Sequence, residues 1–152
     1  MAVGRWNNEE KRNAAVARRW LTEGAMGQVG LAEKTFTADF RTNGRLVGTA
    51  GPQRNVANRL NGFPDLEVTI EEQLADDDKV VTRLTWRGTH TGEYSGLPPT
   101  GRRVAVQALT VFHFRDGKVF QNWTVIDHFE LFRQLGALPP RLLPAQVPAT
   151  EQ

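Results

Sequence analysis

There is no cysteine in these 152 residues. A disulfide framework, a thiolate nucleophile and a Cys-based metal site are therefore excluded. Histidine is scarce: His90, His113 and His128 show no HxxxH or HxH spacing, so no metal centre is expected. Excess charge of either sign is also missing, since 19 basic side chains face 17 acidic ones for a net charge of +2. That is too little to argue for nucleic acid as a partner. No apolar run approaches the roughly 20 residues needed to span a bilayer. The opening residues Met1 to Asn8 hold no signal-peptide core. The expectation is a soluble cytoplasmic protein with neither a membrane nor a nucleic-acid partner.

What is present reads as one globular domain with its own core, residues 1–140, followed by a Pro-rich tail, 141–152. Asn7 or Asn8 is placed to cap a first helix whose opening turn carries Glu9 and Glu10, the favourable charge at that end. Val16, Ala17, Trp20 and Leu21 form its apolar stripe, and Gly24 ends it. A shorter helix is expected over Val29 to Phe36, then a turn and brief strand over Thr37 to Gly44. A third helix opens at Gly51-Pro52, carries Val56 and Leu60, and ends near Gly62.

From Pro64 onward the hydrophobic period becomes two. Leu66, Val68 and Ile70 alternate with Glu67, Thr69 and Glu71. Lys79 to His90 is a long strand with Val80, Thr82, Leu84, Trp86, Gly88 and His90 on one face. A Gly/Pro-rich loop, 92–101, leads to a strand over Arg103 to Arg115, with Val104, Val106, Ala108, Thr110, Phe112 and Phe114 on one face. Asp116-Gly117 signals a hairpin. Helices first and an antiparallel meander after describe an α+β fold with the helices on one face of the sheet.

The last strand changes period as it ends. Simple alternation puts Val119, Gln121, Trp123, Val125 and Asp127 on one face and Phe120, Asn122, Thr124, Ile126 and His128 on the other. Phe129, Phe132 and Leu135 then repeat at helical spacing up to Gly136. Asp127 stands at the switch, and two readings are open. On a face that looks into a cavity it is an acid or base on an apolar wall. Alternatively Asp127-His-Phe-Glu130 is a capping box and Asp127 a helix cap.

The ordered set Phe63-Pro-Asp-Leu66, Gly88-Thr-His-Thr-Gly92, Gly96-Leu-Pro-Pro-Thr-Gly-Arg-Arg103, Asp116-Gly-Lys118 and Trp123 through Asp127 to Arg133-Gln-Leu-Gly136 resembles the SnoaL-like polyketide cyclases. The resemblance implies a cone-shaped α+β barrel of the nuclear-transport-factor-2-like type, with a curved antiparallel sheet wrapping a pocket under the N-terminal helices. It implies a homo-oligomer, dimer or tetramer, and a hydrophobic, polycyclic small-molecule substrate. It also implies ring closure, by aldol condensation or a related route, without metal or cofactor, with Asp127 as the single acid/base.

Burial against Trp123, Val125, Trp86 and Phe112 would raise such a carboxyl toward neutrality, because desolvation disfavours its ionised form. Thr110 stands where the aldol cyclases carry a pocket histidine, and Thr42 where they carry an asparagine. His90 at the loop is a pocket-mouth group or a loop anchor, and Arg45 is placed to reach a ligand oxygen. Loop 92–101 is a lid or a subunit contact. Two other functions fit the same fold: a polyketide hydroxylase component working with a separate reductase, and a non-catalytic small-molecule carrier or interaction domain whose cone is filled by side chains.

Overall fold

The computed structural model describes residues 5–142; most of the Pro-rich tail lies outside the described residues. Helix α1 (Asn8–Arg19) starts with a capping box, Asn7 accepting from the Glu10 amide while the Glu10 carboxylate accepts from the Asn7 amide. The chain continues through one π-helical turn, Trp20–Gly24. A 3-10 turn, Val29–Leu31, runs into the short α2 (Ala32–Thr35), and Phe36 already belongs to β1 (Phe36–Thr42). Asn43 and Gly44 both adopt positive φ, closing a tight hairpin to β2 (Arg45–Leu46). Helix α3 (Ala50–Gly62) precedes β3 (Glu67–Asp76), β4 (Lys79–Thr89), β5 (Arg103–Arg115) and β6 (Lys118–Ile126). Helix α4 (His128–Gln134) follows.

The expected α+β class is the observed one. The six strands form one sheet in the order β2-β1-β6-β5-β4-β3. It is mixed rather than wholly antiparallel, because β1 runs parallel to β6. Its edges are not joined, so the cone is an open curved sheet rather than a closed barrel. Helix α1 packs on β3 and β4, and α4 on β5. Strand β5 follows the sequence pattern closely: Val104, Val106, Ala108, Thr110, Phe112 and Phe114 are all buried.

Two β-bulges bend this sheet. In β3 the register slips at Glu71, between Ile70 and Glu72. In β6, Val119 pairs with Phe114 and Gln121 with His113, which leaves Phe120 as the extra residue. The Phe120 ring lies on the outer face, edge-on to His113 at 6.2 Å and beneath the Arg115 guanidinium at 5.0 Å. Past this point the alternation of β6 is reversed. Val119 is buried, yet the inward residues that follow are Asn122, Thr124 and Ile126.

Loop 92–101 is fastened to the end of α3. The amides of Thr91 and Gly92 both donate to the Gly62 carbonyl, at 3.1 and 3.2 Å, and the Asn61 side chain donates to the Glu93 carbonyl at 2.7 Å. Tyr94 is buried beside Phe63, ring centroids 5.3 Å apart. A Cβ at Gly92 would overlap the Asn61 carbonyl oxygen. Gly92→Ala must therefore lift the loop off α3. The expected cost is about 3 kcal/mol, seen as a fall in Tm of roughly 6–12 °C for a domain of this size. An unchanged Tm would contradict the docked loop.

Candidate functional site

The curved sheet, α3 and the turn after α1 enclose a cavity of about 130 Å³. Its floor is aromatic: Trp20 meets Phe36 edge-to-face at 4.9 Å, Phe36 lies 4.4 Å from Phe40, and Phe112 stands 6.1 Å from Phe36. The sheet contributes Leu84 and Trp86 from β4, Ala108, Thr110 and Phe112 from β5, and Asn122, Thr124 and Ile126 from β6. Helix α3 faces them across the space with Pro52, Asn55, Val56 and Arg59. Asn55 is also exposed to solvent, which puts the mouth beside α3. The cone is thus not filled by its own side chains.

The polar groups in this wall stand largely unpartnered. Trp86 Nε1, Thr110 Oγ1 and Asn122 Oδ1 are all buried, and none has a hydrogen-bond partner among the described residues. Buried polar groups ordinarily have one, and an orphan costs about 1–3 kcal/mol. The Arg59 guanidinium packs over the Trp86 ring, 5.8 Å from its centroid. It makes no ion pair among the described residues, whereas Arg83, Arg115 and Arg133 each meet a carboxylate. Burial pushes the Arg59 guanidinium below its usual value, partly offset by Tyr94 nearby; a guanidinium nonetheless stays cationic in proteins. Among the described residues, no carboxylate, imidazole, amine or phenol lines the cavity. These groups suit the cavity to hold a flat conjugated molecule and to draw charge onto one of its oxygens.

Of the residues singled out from the sequence, Trp86, Thr110, Phe112 and Thr42 line this cavity. Asp127, Trp123, His90 and Arg45 do not. The expected burial of Asp127 against Trp123, Val125, Trp86 and Phe112 is corrected by the bulge at Phe120, which turns odd-numbered residues beyond it outward. Trp123 is 48% exposed and Val125 71%. Asp127 is exposed on the outer side, in a shallow groove with Arg83, Leu109, Val125 and Phe129. There its Oδ1 accepts from the Glu130 amide at 3.0 Å and caps α4. The full capping box is not formed, because the Glu130 carboxylate is held instead by Arg133 and Gln134, which keep its pKa low, at about 2.

His90 is wholly buried behind the cavity. Its Nδ1 accepts from the Thr100 amide at 3.2 Å, and its ring stacks on Phe63 at 5.2 Å. It anchors the loop. Arg45 is exposed on β2. The Arg-Gln-Leu-Gly run is also structural. Gln134 exchanges two hydrogen bonds with the backbone of Ala105, Leu135 is buried, and Gly136 takes positive φ against Arg102. The sequence reading missed Arg59, Asn55, Asn122 and Thr124. Arg59 had a signal: Pro52, Val56 and Arg59 share one stripe of α3 at i, i+4, i+7, so a cation lies on an apolar helix face.

The SnoaL-like polyketide cyclase family matches residues 15–135. Aklanonic acid methyl ester cyclase AcmA of Streptomyces galilaeus is 40% identical over 70 residues, 46% of each chain, so the match spans just under half of that relative's length. Among solved structures, AclR, a proposed hydroxylase from Streptomyces galilaeus, superposes with a TM-score of 0.76 and 29% identity over 86% of this chain and 84% of its own. A proposed SnoaL-like polyketide cyclase from Jannaschia does so with 0.80 and 26% over 90% and 99%.

The cap reading of Asp127 generates a stability test. Asn caps as well as Asp, whereas Ala costs about 1 kcal/mol. Thermal melts should show Asp127→Asn at the wild-type Tm and Asp127→Ala lower by about 2–4 °C. Equal Tm values for Asp127→Ala and wild type would contradict the cap.

Proposed function

The chain belongs to the SnoaL-like polyketide cyclase family, and from that premise we propose a cofactor-independent enzyme of secondary metabolism that closes or rearranges a ring of a flat, polyketide-like substrate within the cone. The observation that carries this reading is the cavity: an aromatic floor for a planar molecule, with Trp86 Nε1, Thr110 Oγ1 and Asn122 Oδ1 unpartnered around it. In an aldol closure the proton lost from the nucleophilic carbon passes to solvent at the mouth, a C–C bond forms, and solvent returns a proton to the carbonyl oxygen. Atoms are conserved unless water is then lost. Folding a flexible chain into the reactive conformer against Trp86 and Phe112 supplies proximity, and the ring faces suit a conjugated substrate. The closed space is smaller than the roughly 300–1,000 Å³ of drug-sized ligand sites, so in this reading a polycyclic substrate extends through the mouth beside Asn55.

Asp127 is not assigned the acid/base step in this reading, because its carboxylate is a cap on the outer side of β6. The second reading, a hydroxylase component working with a separate reductase, is favoured by a specific observation: the cavity lacks a carboxylate or imidazole to move a proton. The likeness to AclR supports it as well.

A homo-oligomer in the cytoplasm completes the proposal. Leu74, Val81, Val111 and Trp123 form one cross-strand row on the outer face, and Leu74 and Trp123 are largely exposed. Exposed apolar patches of this kind mark interaction surfaces, and sedimentation at micromolar concentration should give a dimer or tetramer mass rather than a monomer.

Incubation with a linear or partly cyclised polyketide precursor, followed by mass analysis, separates the chemistries. Ring closure leaves the mass unchanged or lower by one water, whereas hydroxylation adds one oxygen. No product with any polyketide precursor would contradict both. In the same assay Asp127→Asn should keep turnover within about threefold of wild type. A loss of about a hundredfold or more would return the acid/base role to Asp127.

A further inference from the structure

The cavity holds a cation with no counter-charge among the described residues. The Arg59 guanidinium carbon lies 5.8 Å from the Trp86 ring centroid, and its N–H groups have no acceptor among the described residues. The indole N–H of the same Trp86 is buried and equally unpartnered. The cavity wall thus carries two donors without acceptors among the described residues, one of them charged, on neighbouring side chains. The lining contains no carboxylate that would repel an anion. An uncompensated charge in such a place works against folding, so its presence calls for a ligand that completes it.

Farther along the sheet the wall is different. Trp86 pairs with Val106 on β5, and Thr110 lies four residues further along that strand. At about 3.3 Å per residue the two positions are about 13 Å apart along the sheet. Near Thr110 stands Asn122, paired with Phe112, the inward residue next but one. Thr110 Oγ1 and Asn122 Oδ1 offer a hydroxyl and an amide oxygen, both without partners. The space between the two ends is walled by apolar Leu84, Ala108 and Ile126.

We infer that Arg59 and the Trp86 indole N–H form a subsite for an anionic oxygen, a carboxylate or an enolate, at one end of an elongated flat substrate. Thr110 and Asn122 receive a hydroxyl at its other end. The inference rests on the cavity reading given under Proposed function and adds to it the charge and polarity of the substrate. In a ring closure the Arg59 end stabilises negative charge on the substrate oxygen, and no proton transfer is required of it. A bidentate acceptor fits the planar guanidinium better than a single oxygen does.

The test uses the full chain and three flat probes, with binding followed by titration calorimetry at pH 7 and fixed salt. The probes are 2-naphthoate, which presents a carboxylate; 2-hydroxy-1,4-naphthoquinone, an enolate at this pH; and methyl 2-naphthoate, which is neutral. Wild-type protein should bind at least one anion tenfold or more tighter than the ester, the size of one charge-assisted hydrogen bond. Whichever anion is preferred names the source of the oxygen.

Arg59→Gln should bind the ester as wild type does and the anions no better than the ester. Its ligand-free Tm should lie within about 3 °C of wild type or above it, because a half-buried unpaired charge has been removed. Arg59→Lys, which keeps the charge without the fork, should retain part of the preference. Binding of all three probes with no anion preference, or a preference that survives Arg59→Gln, would overturn the subsite and leave the cavity reading standing. Failure of every probe to bind wild type would overturn both. A Tm for Arg59→Gln more than about 5 °C below wild type would make the guanidinium structural and overturn the inference.

Discussion

One extra residue in β6 decides what this protein presents to its cavity. Phe120 occupies a bulge, and side chains in a strand alternate with period two, so every residue from Asn122 to Ile126 faces the opposite way from the one simple alternation gives. The inner wall of the last strand is therefore Asn122, Thr124 and Ile126, and the outer wall Trp123 and Val125. The same bulge, with its counterpart at Glu71 in β3, bends the sheet so that helix α3 spans a gap instead of packing flat on the strands. Curvature and site composition share one cause.

The family motifs take on a division of labour in this light. Asp127, Glu130, Arg133, Gln134 and Gly136 build and dock α4 through a cap, an ion pair, two hydrogen bonds to Ala105 and a positive-φ turn. Gly92 fastens the loop to the end of α3, and His90 holds the loop's far end through the Thr100 amide. Each of these contacts holds a motif residue at a fixed place in the fold. The groups left free for a ligand, Arg59, Trp86, Thr110 and Asn122, lie mostly outside it. Such unpartnered groups cost stability, and the proposed ligand would complete them.

Much of this was legible in the residues. The Asn7 and Glu10 cap, the six inward residues of β5 and the α+β order follow from patterns with a local cause: a side-chain oxygen three residues from an amide, or strict alternation on one buried face. The parity of β6 was not legible. A bulge leaves no composition signal at Phe120, and Trp123 and Val125 read as core residues by hydrophobicity alone. The parallel pairing of β1 with β6 is likewise a long-range choice with no local mark. Arg59 was legible as a cation on an apolar stripe, but its lack of a partner is a property of the folded cavity.

The central claim is that the ligand sits inside the cone at Arg59 and Trp86, and not in the outer groove at Asp127. A crystal structure of the full chain with a flat aromatic acid bound tests it most directly. The ring should lie between α3 and the sheet, with its charged oxygen within hydrogen-bond distance of the Arg59 guanidinium and Trp86 Nε1. Density for the ligand against Asp127, Val125 and Phe129 on the outer side, with the inner cavity unchanged, would contradict it.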